Sequence, residues 1–216
     1  MAKDYYGVII DSGSSGSRVQ IYSWPDSAEV AKDASDESIL KSVPQIHQKE
    51  SWSHKITPGV STFADKPDDV WDDHYEPLIE YAENIIPKES WEDTPIFVLA
   101  TAGMRLLPEK KKNKLLKKIC KKIGKHSDFK LDSCTDQIQI IDGETEGLYG
   151  WIGLNYLMGQ LNDYDTNGKH NSYGFMDMGG ASTQISFVPN KDSEIERHRD
   201  DISTLYLKNV NGETQQ

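Results

Sequence analysis

The hydrophobic positions of the first hundred residues predict strands joined by polar turns. Tyr5–Asp11 (YYGVIID) is a short apolar run that ends in the turn residues SGSSGS, which predicts a buried strand. Arg18–Trp24 alternates apolar and polar residues and predicts the partner strand of a hairpin. Pro95–Ala100 predicts another buried strand, one that could lie parallel to the first. Gln45–Lys55 is expected to contain a third strand, and the polar segment Pro25–Lys41 is expected to be a loop.

The middle of the chain has helical spacing. Asp68–Ile86 predicts a helix that buries Val70, Trp71, Tyr75, Leu78, Ile79, Ala82 and Ile86. Pro108–Lys125 predicts a helix with one apolar face and many lysines. This pattern fits a membrane-surface helix or a core-packed helix with a solvated basic face, and we favour the second. Gln137–Asp142 predicts a strand and Glu144–Leu161 a helix, with Leu148, Trp151, Ile152, Tyr156 and Leu157 turned inward.

The last part of the chain begins with a polar loop, Asn162–Ser172, which is a candidate domain boundary. Tyr173–Asp177 and Gln184–Val188 then predict a second strand–turn–strand unit, and Ile202–Val210 predicts one further strand.

The two strand–turn–strand units form an internal repeat. Gly7–Tyr22 (GVIIDSGSSGSRVQIY) and Tyr173–Val188 (YGFMDMGGASTQISFV) both read apolar strand, Asp, any residue, Gly, three small residues, alternating strand. The glycine allows close backbone approach to a phosphate, and successive N–H groups in the turn form an anion-binding nest. Each aspartate, at the end of a strand, can hold a divalent cation directly or through water. One copy alone could be an ordinary hairpin turn, but two matching copies favour a pair of phosphate loops.

Two other segments contain polar groups at strand ends. Leu99–Leu107 (LATAGMRLL) places Thr101 where its hydroxyl could meet a ligand or an attacking water, while Arg105 could support the site or only pair with a carboxylate. Asp142–Tyr149 (DGETEGLY) has three carboxylates at a strand-to-helix junction. These are typical of a helix N-terminus, but beside two phosphate loops a glutamate here is better interpreted as a general base.

Composition limits the partners of the chain. Its 216 residues are 36% hydrophobic and 27% charged, as expected for a globular protein, and its net charge is −11. This charge argues against nucleic acid as a partner, because a phosphate backbone is bound by clustered Lys and Arg. Cys120 and Cys134 fit no zinc-site spacing, which leaves one disulfide or two free thiols as alternatives.

Four segments together resemble the first four conserved regions of the apyrase, or ecto-nucleoside triphosphate diphosphohydrolase, family. They are DSGSSGSR (11–18), ATAGMR (100–105), GETEGLYGWIGLNYLMG (143–159) and DMGGASTQI (177–185). The resemblance implies an α/β fold of the actin–hexokinase–chaperone type, with a ribonuclease H-like mixed sheet, flanking helices and two lobes. It also implies hydrolysis of the terminal phosphate of nucleoside di- and triphosphates with a divalent cation, Ca²⁺ or Mg²⁺, with Mn²⁺ as a further option.

The resemblance assigns a role to each matching residue. Glu146 matches the base that activates water, Thr101 a threonine near that water, and Ser182 and Gln184 the residues that position it. Asp11 and Asp177 match the pair that holds the cation through its water shell. The residues that match the two phosphate loops are Ser14, Ser15, Gly16, Ser17, Arg18, Gly179, Gly180 and Ala181. Ser12 and Ser17 stand where alanine and threonine are more usual in the family, and we expect these differences to matter little.

The resemblance also predicts that the second lobe is incomplete. Residues 1–162 would form the N-terminal lobe with the first loop and Glu146, and residues 163–216 a linker and the start of the second lobe. Because a strand pair cannot bury its apolar face alone, we expect this chain to be a fragment that packs against the C-terminal remainder of the same protein, which could be a separate chain.

Location and reaction type each have an alternative. The sequence contains no apolar run of membrane-spanning length and no signal peptide, which alone predicts a cytoplasmic protein. The resemblance instead implies the Golgi lumen, a membrane anchor outside this chain, and removal of GDP and UDP in support of glycosylation. The alternative functions for a two-loop protein are those of an exopolyphosphatase, a sugar kinase or a nucleotide-binding switch module.

Overall fold

The main sheet of the protein has five strands in the order β3-β2-β1-β4-β5. The structure is a computed structural model, and it describes residues 4–162, 171–189 and 191–215. The strands are β1 (Asp4–Ser12), β2 (Ser17–Pro25), β3 (Ser53–Ile56), β4 (Ile96–Ala100) and β5 (Ile138–Ile140). β1, β2 and β3 are antiparallel neighbours, whereas β4 runs parallel to β1 and β5 parallel to β4. The mixed, ribonuclease H-like sheet is therefore confirmed.

One face of this sheet forms the core. Val8 and Ile10 of β1 lie beside Ile21 and Val19 of β2 and beside Ile96 and Val98 of β4, and all six are at most 1% exposed. This follows from the two-residue period of a strand, which places alternate side chains on one face. On the opposite face, Ile9, Phe97 and Leu99 are only half-buried.

Eight helices accompany the strands in the described residues. They are α1 (Ser27–Asp33), α2 (Glu37–Leu40), α3 (Glu76–Glu83), α4 (Ala102–Arg105), α5 (Glu109–His126), α6 (Cys134–Gln137), α7 (Gly143–Leu157) and α8 (Asp192–Arg197). Short 3₁₀ turns cover Glu50–Trp52, Val60–Asp65, Lys88–Asp93 and Arg199–Asp201. None of the helices in the described ranges has both the length and the apolar composition needed to cross a membrane.

The two long helical patterns are confirmed by burial. All seven apolar residues predicted to face inward from Asp68–Ile86 are buried. In α5, Leu115, Ile119 and Ile123 lie in the core, and the lysine-rich face is turned to solvent, as the core-packed interpretation expects. Cys120 and Cys134 are joined by a disulfide, which decides between the two alternatives that the sequence left open.

Three local predictions are wrong. Pro25–Lys41 is not a continuous loop, because Asp26 and Asp36 cap the short helices α1 and α2 through their side-chain oxygens. Leu157, expected to face inward, is 82% exposed at the last turn of α7. The tail strand predicted over Ile202–Val210 is reduced to β8 (Leu207–Lys208), which pairs with β9 (Thr214–Gln215).

The second strand–turn–strand unit is confirmed as a separate two-stranded sheet, β6 (Phe175–Met178) and β7 (Thr183–Ser186). It packs against α7 at two glycines. A Cβ at Gly150 would lie 2.2 Å from the Phe175 ring, and a Cβ at Gly147 would lie 2.7 Å from Ser186 Oγ. Most of the predicted boundary loop Asn162–Ser172 lies outside the described residues, and the division into two lobes stays a prediction.

A π-helical turn, Trp71–Tyr75, precedes α3 and places two polar side chains in the core. The backbone N–H of Tyr75 donates to the carbonyl of Val70, five residues earlier, at 3.1 Å. His74 and Tyr75 are both 0% exposed. Burial lowers the pKa of His74 to about 4 and raises the pKa of the Tyr75 hydroxyl, because the charged form of each is disfavoured away from water. His74 is therefore neutral in the folded protein near neutral pH.

This burial predicts a specific loss of stability in acid. An unfolded His74 binds a proton near pH 6.5, whereas the folded one binds it only near pH 4. Between these values the unfolded state binds more protons, so the free energy of unfolding falls as the pH falls, by at most about 1.4 kcal/mol per pH unit. His74→Phe keeps a ring but removes the titration. Thermal unfolding from pH 7 to 4 is expected to show the variant gaining stability relative to the wild type, and parallel curves would contradict the assignment.

Candidate active site

The two turns of the sequence repeat have the same backbone construction. In the first hairpin Asp11 lies opposite Arg18, and in the second Asp177 lies opposite Gln184. The N–H of Gly13 donates to the carbonyl of Gly16 at 2.9 Å, and at the equivalent position the N–H of Gly179 donates to the carbonyl of Ser182 at 2.9 Å. The two copies of the sequence repeat therefore fold into turns closed by equivalent hydrogen bonds.

The first loop is enclosed by backbone on three sides. A Cβ on Gly16 would lie 2.3 Å from the carbonyl oxygen of Ile56, and one on Gly59 would lie 2.2 Å from that of Ser14. A Cβ on Gly103 would meet the Cα of Ser14 at 2.9 Å. No side chain fits at these three positions without a shift of the backbone. Ser14 and Ser15 remain exposed, so the outer edge of the loop is open to a ligand.

The second loop lies against the first. A Cβ on Gly180 would be 3.4 Å from the Ser14 hydroxyl, which is ordinary contact distance. Gly179, Gly180 and Ala181 are all exposed. The structure therefore brings both predicted phosphate loops to one cleft, at the ends of β1 and β6.

The carboxylates of the cleft influence one another. The pKa of Asp11 is raised, first because neighbouring protein atoms displace water around it and then because Glu146 and Asp177 add negative charge. Arg18 and Lys55 act in the opposite direction but do not cancel the effect. Solvent still reaches the Asp11 side chain, so it lies within an open cleft and not in a sealed core. The charged form of Asp11 is therefore disfavoured in this cleft, and a cation beside it would offset that effect.

Divalent cations fit this cleft only indirectly. Carboxylate oxygens are the ligands that Ca²⁺ and Mg²⁺ prefer. Within the described residues, however, no three acidic, His or Cys side chains converge closely enough to hold an ion themselves. The role of Asp11 and Asp177 as the pair that holds a cation through its water shell, which the family resemblance implies, stays a prediction.

Glu146 is fixed by a guanidinium group. Its Oε2 accepts hydrogen bonds from Nη1 and Nη2 of Arg105, both at 2.9 Å, and from Nε2 of Gln184 at 3.2 Å. The Arg105 and Glu146 side chains are 25% and 20% exposed, which screens this ion pair less than a surface pair. No residue in the described ranges donates to the other carboxylate oxygen, Oε1. One oxygen is thus anchored and the other is available.

Arg105 is the residue whose role the sequence left open. It also donates to the backbone carbonyl of Ile141 at 2.8 Å and to the Ser182 hydroxyl at 3.3 Å. It therefore joins α4 and the first turn of α7 to the second loop. The available signal was its position two residues after Gly103, in a segment of small residues next to a strand end.

Gln184 and Ser182 lie directly beside Glu146. Gln184 is 6% exposed, and its Nε2 donates to both Glu146 Oε2 and Ser182 Oγ, the second at 2.8 Å. Its Oε1 is buried without a donor among the described residues. Thr101 follows β4, and its N–H donates to the Ser12 carbonyl at 3.2 Å. No described residue bonds to its hydroxyl. These residues are placed together, but their individual roles stay predictions.

The Ser17 side chain points away from the cleft. Ser17 is 0% exposed, and its hydroxyl bonds to Ser12 and His74 in the core. Any contact with phosphate would have to come from its backbone. Our expectation that serines at positions 12 and 17 matter little did not foresee these bonds.

Comparison with known proteins agrees with the motifs. The model of the GDA1/CD39 (nucleoside phosphatase) family matches residues 2–216. The chain is 50% identical to the Golgi apyrase of Saccharomyces cerevisiae over 98% of its own length, and 42% identical to the Golgi apyrase of Schizosaccharomyces pombe over 96%. It spans about a third of these curated relatives, 34% and 36% of their lengths.

A solved nucleoside triphosphate hydrolase from Neospora caninum matches 88% of the chain and 40% of its own, at 18% identity and a TM-score of 0.49. The fold assignment rests on the strand order and not on this superposition. The chain belongs to the GDA1/CD39 (nucleoside phosphatase) family, because the model of that family matches nearly its whole length.

Proposed function

We propose that the protein containing this chain hydrolyses the terminal phosphate of nucleoside di- and triphosphates, with Glu146 as the general base. The observation that supports this most is the position of Glu146. It lies beside two matched turns, with one oxygen anchored by Arg105 and Gln184 and the other without a donor among the residues that the structure describes. The activity named for the relatives is of the same kind, since they are called apyrases.

In this mechanism a water attacks the terminal phosphorus and Glu146 Oε1 accepts a proton from that water. The P–O bond between the terminal phosphorus and the remaining nucleotide breaks, and the shortened nucleotide leaves with the bridging oxygen. Arg105 holds the carboxylate in one orientation, so little reorganisation is needed when the proton moves. Gln184 would help to position this water by holding Glu146 Oε2 and Ser182 Oγ through its Nε2. The Ser182 hydroxyl, bonded to Gln184 and Arg105, limits the positions that this water can take.

The two loops bind the phosphates and orient them. Their N–H groups supply dipoles for phosphate binding, alongside the Arg18 side chain that the family resemblance assigns to the first loop. Asp11 and Asp177 would hold Ca²⁺ or Mg²⁺ through water. When bound, the cation neutralises phosphate charge and lowers the repulsion between substrate and the Glu146 carboxylate.

We further propose that the remaining part of the protein packs onto the second hairpin. Met176, Met178, Ile185 and Phe187 project from one face of β6 and β7, and each is at least 60% exposed. A two-stranded sheet with an uncovered apolar face is marginally stable alone. The relatives are about three times as long as this chain, so their further sequence is available to cover the face. By similarity to the Golgi apyrases, we place the protein in the Golgi lumen, with a membrane anchor outside this chain.

The first prediction from the proposed function concerns the base. Glu146→Gln keeps the shape of the side chain but cannot accept a proton, and it should lower kcat by about 100-fold or more. Phosphate release from ATP, ADP, GDP and UDP, with Ca²⁺ or with EDTA, measures this in the full-length protein. Glu144→Gln is the matched control, because Glu144 lies exposed in the same helical turn. Equal turnover in the two variants would contradict the mechanism.

The second prediction concerns Arg105. Arg105→Lys retains the charge but cannot reach Glu146, Ser182 and the Ile141 carbonyl together, because an ammonium lacks the guanidinium fork. We expect kcat to fall by about 10-fold to 100-fold with little change in KM, since Arg105 contacts the base and not the loops' outer edge. Arg197→Lys, on the exposed surface of α8, is the control. A change in KM alone would show that Arg105 binds substrate instead.

The third prediction concerns cation binding. Ca²⁺ at about 100 times its dissociation constant stabilises a protein by about 2.7 kcal/mol, so it should raise the thermal midpoint of the full-length protein. In Asp11→Asn this rise should be reduced or lost, while the metal-free midpoint stays the same or increases because one of three repelling carboxylates is removed. Asp4→Asn, at the other end of β1, should retain the full Ca²⁺ effect. A full effect in Asp11→Asn would exclude Asp11 as a cation-holding residue.

A further inference from the structure

We call the Ser12–Ser17 pair at the base of the first loop its neck. A buried chain of hydrogen bonds that the proposed mechanism does not use runs through this pair. Ser12 and Ser17 are the cross-strand pair that closes the loop 13–16. Both are 0% exposed, and the Ser17 hydroxyl donates to Ser12 Oγ at 2.9 Å. Both hydroxyls therefore lie on the core side of the sheet, beneath the loop.

Two consecutive residues of the π-helical turn complete the chain. His74 Nε2 lies 2.6 Å from Ser17 Oγ, and Tyr75 Oη lies 3.0 Å from Ser12 Oγ. Because Ser17 uses its proton on Ser12, it must accept from His74, which fixes the tautomer with hydrogen on Nε2. The result is a chain of bonds from His74 through Ser17 to Ser12 and Tyr75, in which either the Ser12 or the Tyr75 hydroxyl donates the last bond.

The surroundings of His74 leave it little freedom. Its ring packs against Phe63 at a centroid distance of 5.3 Å and against Tyr75 at 5.1 Å. Its Nδ1 is buried without a partner among the described residues. A buried polar atom without a partner costs stability, so a phenylalanine would be the less costly residue if His74 served packing alone. π-helical turns also occur frequently at functional sites.

We propose that His74 and Tyr75 are positioning residues that fix the neck of the first loop, through Ser17 and Ser12, so that the loop N–H groups are preorganised for the phosphates of a nucleotide. The expected effect on turnover rests on the proposed hydrolase function. The fixed distance between Ser12 and Ser17 does not depend on that function. Preorganised donors stabilise charge that develops in the transition state, so a loosened neck should affect turnover more than ground-state binding.

The test compares two replacements of His74 in the full-length protein. His74→Phe keeps a packing ring but removes the donor to Ser17, whereas His74→Gln can place an amide Nε2–H near the same point. We expect His74→Phe to lower kcat by about 10-fold with KM within about twofold, and His74→Gln to recover most of the loss. Ser17→Ala removes both bonds of the Ser17 hydroxyl, one of which His74→Phe also removes. The double variant should therefore lose less than the product of the two single effects.

A second readout separates this inference from the proposed function. Hydrogen exchange at the Gly13 amide, which bonds to the Gly16 carbonyl, should be faster in His74→Phe and near wild type in His74→Gln. Ile119→Val, a core truncation in α5, controls for lost stability and should leave both the exchange and kcat near wild type. If the wild type hydrolyses no nucleotide, the proposed function fails. The exchange rate at Gly13 still tests whether His74 holds Ser12 and Ser17 in place. Unchanged exchange in His74→Phe, or faster exchange with unchanged kcat in an active enzyme, would overturn the positioning role.

Discussion

The ion pair between Arg105 and Glu146 is the interaction on which the candidate site depends. The second hairpin shares no strand pairing with the main sheet in the described residues. Its loop must therefore be aligned with the first by side chains and close packing. Arg105 contributes to this alignment, since one guanidinium contacts the Glu146 carboxylate, the Ile141 carbonyl and the Ser182 hydroxyl. The same contacts determine which carboxylate oxygen is free.

Close backbone approach is the second constraint, and it explains why the motifs are rich in glycine. Gly147 and Gly150 lie on the α7 face that meets β6 and β7, and a Cβ at either would collide with the Ser186 hydroxyl or the Phe175 ring, which would have to move. Gly16, Gly59 and Gly103 perform the same role around the first loop. Because these five positions lack a Cβ, α7 can lie close to the second hairpin, and Gly59 and Gly103 can lie close to the first loop.

Most of the fold could be predicted from the sequence because its signals are local. The alternation in β1 and β2 and the helical spacing in α5 both arise because one face of the element is buried. Apolar residue types mark that face directly in the sequence. The repeat identified both loops for a similar reason, since each turn needs the same Asp and Gly positions. Short helices such as α1 lack an apolar face, so only an Asp cap signals them. Leu157 has a core-like residue type at an exposed helix end, which periodicity cannot distinguish.

The contacts that join distant segments could not be predicted in the same way. Arg105 reaches Glu146 across 41 positions and Ser182 across 77, and no periodicity in the sequence relates them. His74 was predicted to belong to a helical segment, but nothing indicated that a π-helical turn would direct it to Ser17, 57 positions earlier. Such contacts depend on tertiary packing, whereas the resemblance to a family could identify the residues of a motif without showing what holds them.

The two loops differ in how their necks are held, although their turns are equivalent. Ser12 and Ser17 are buried and bonded to the core, whereas the corresponding pair, Met178 and Thr183, is exposed. The geometry of the first loop is thus determined within this chain. That of the second depends on α7, on Arg105, and on whatever covers the apolar face containing Met178. If the remaining protein assembles on that face, as proposed, it would adjust the position of the second loop while the first loop stays fixed. This is a physical reason for the two matched loops to occur in different structural environments.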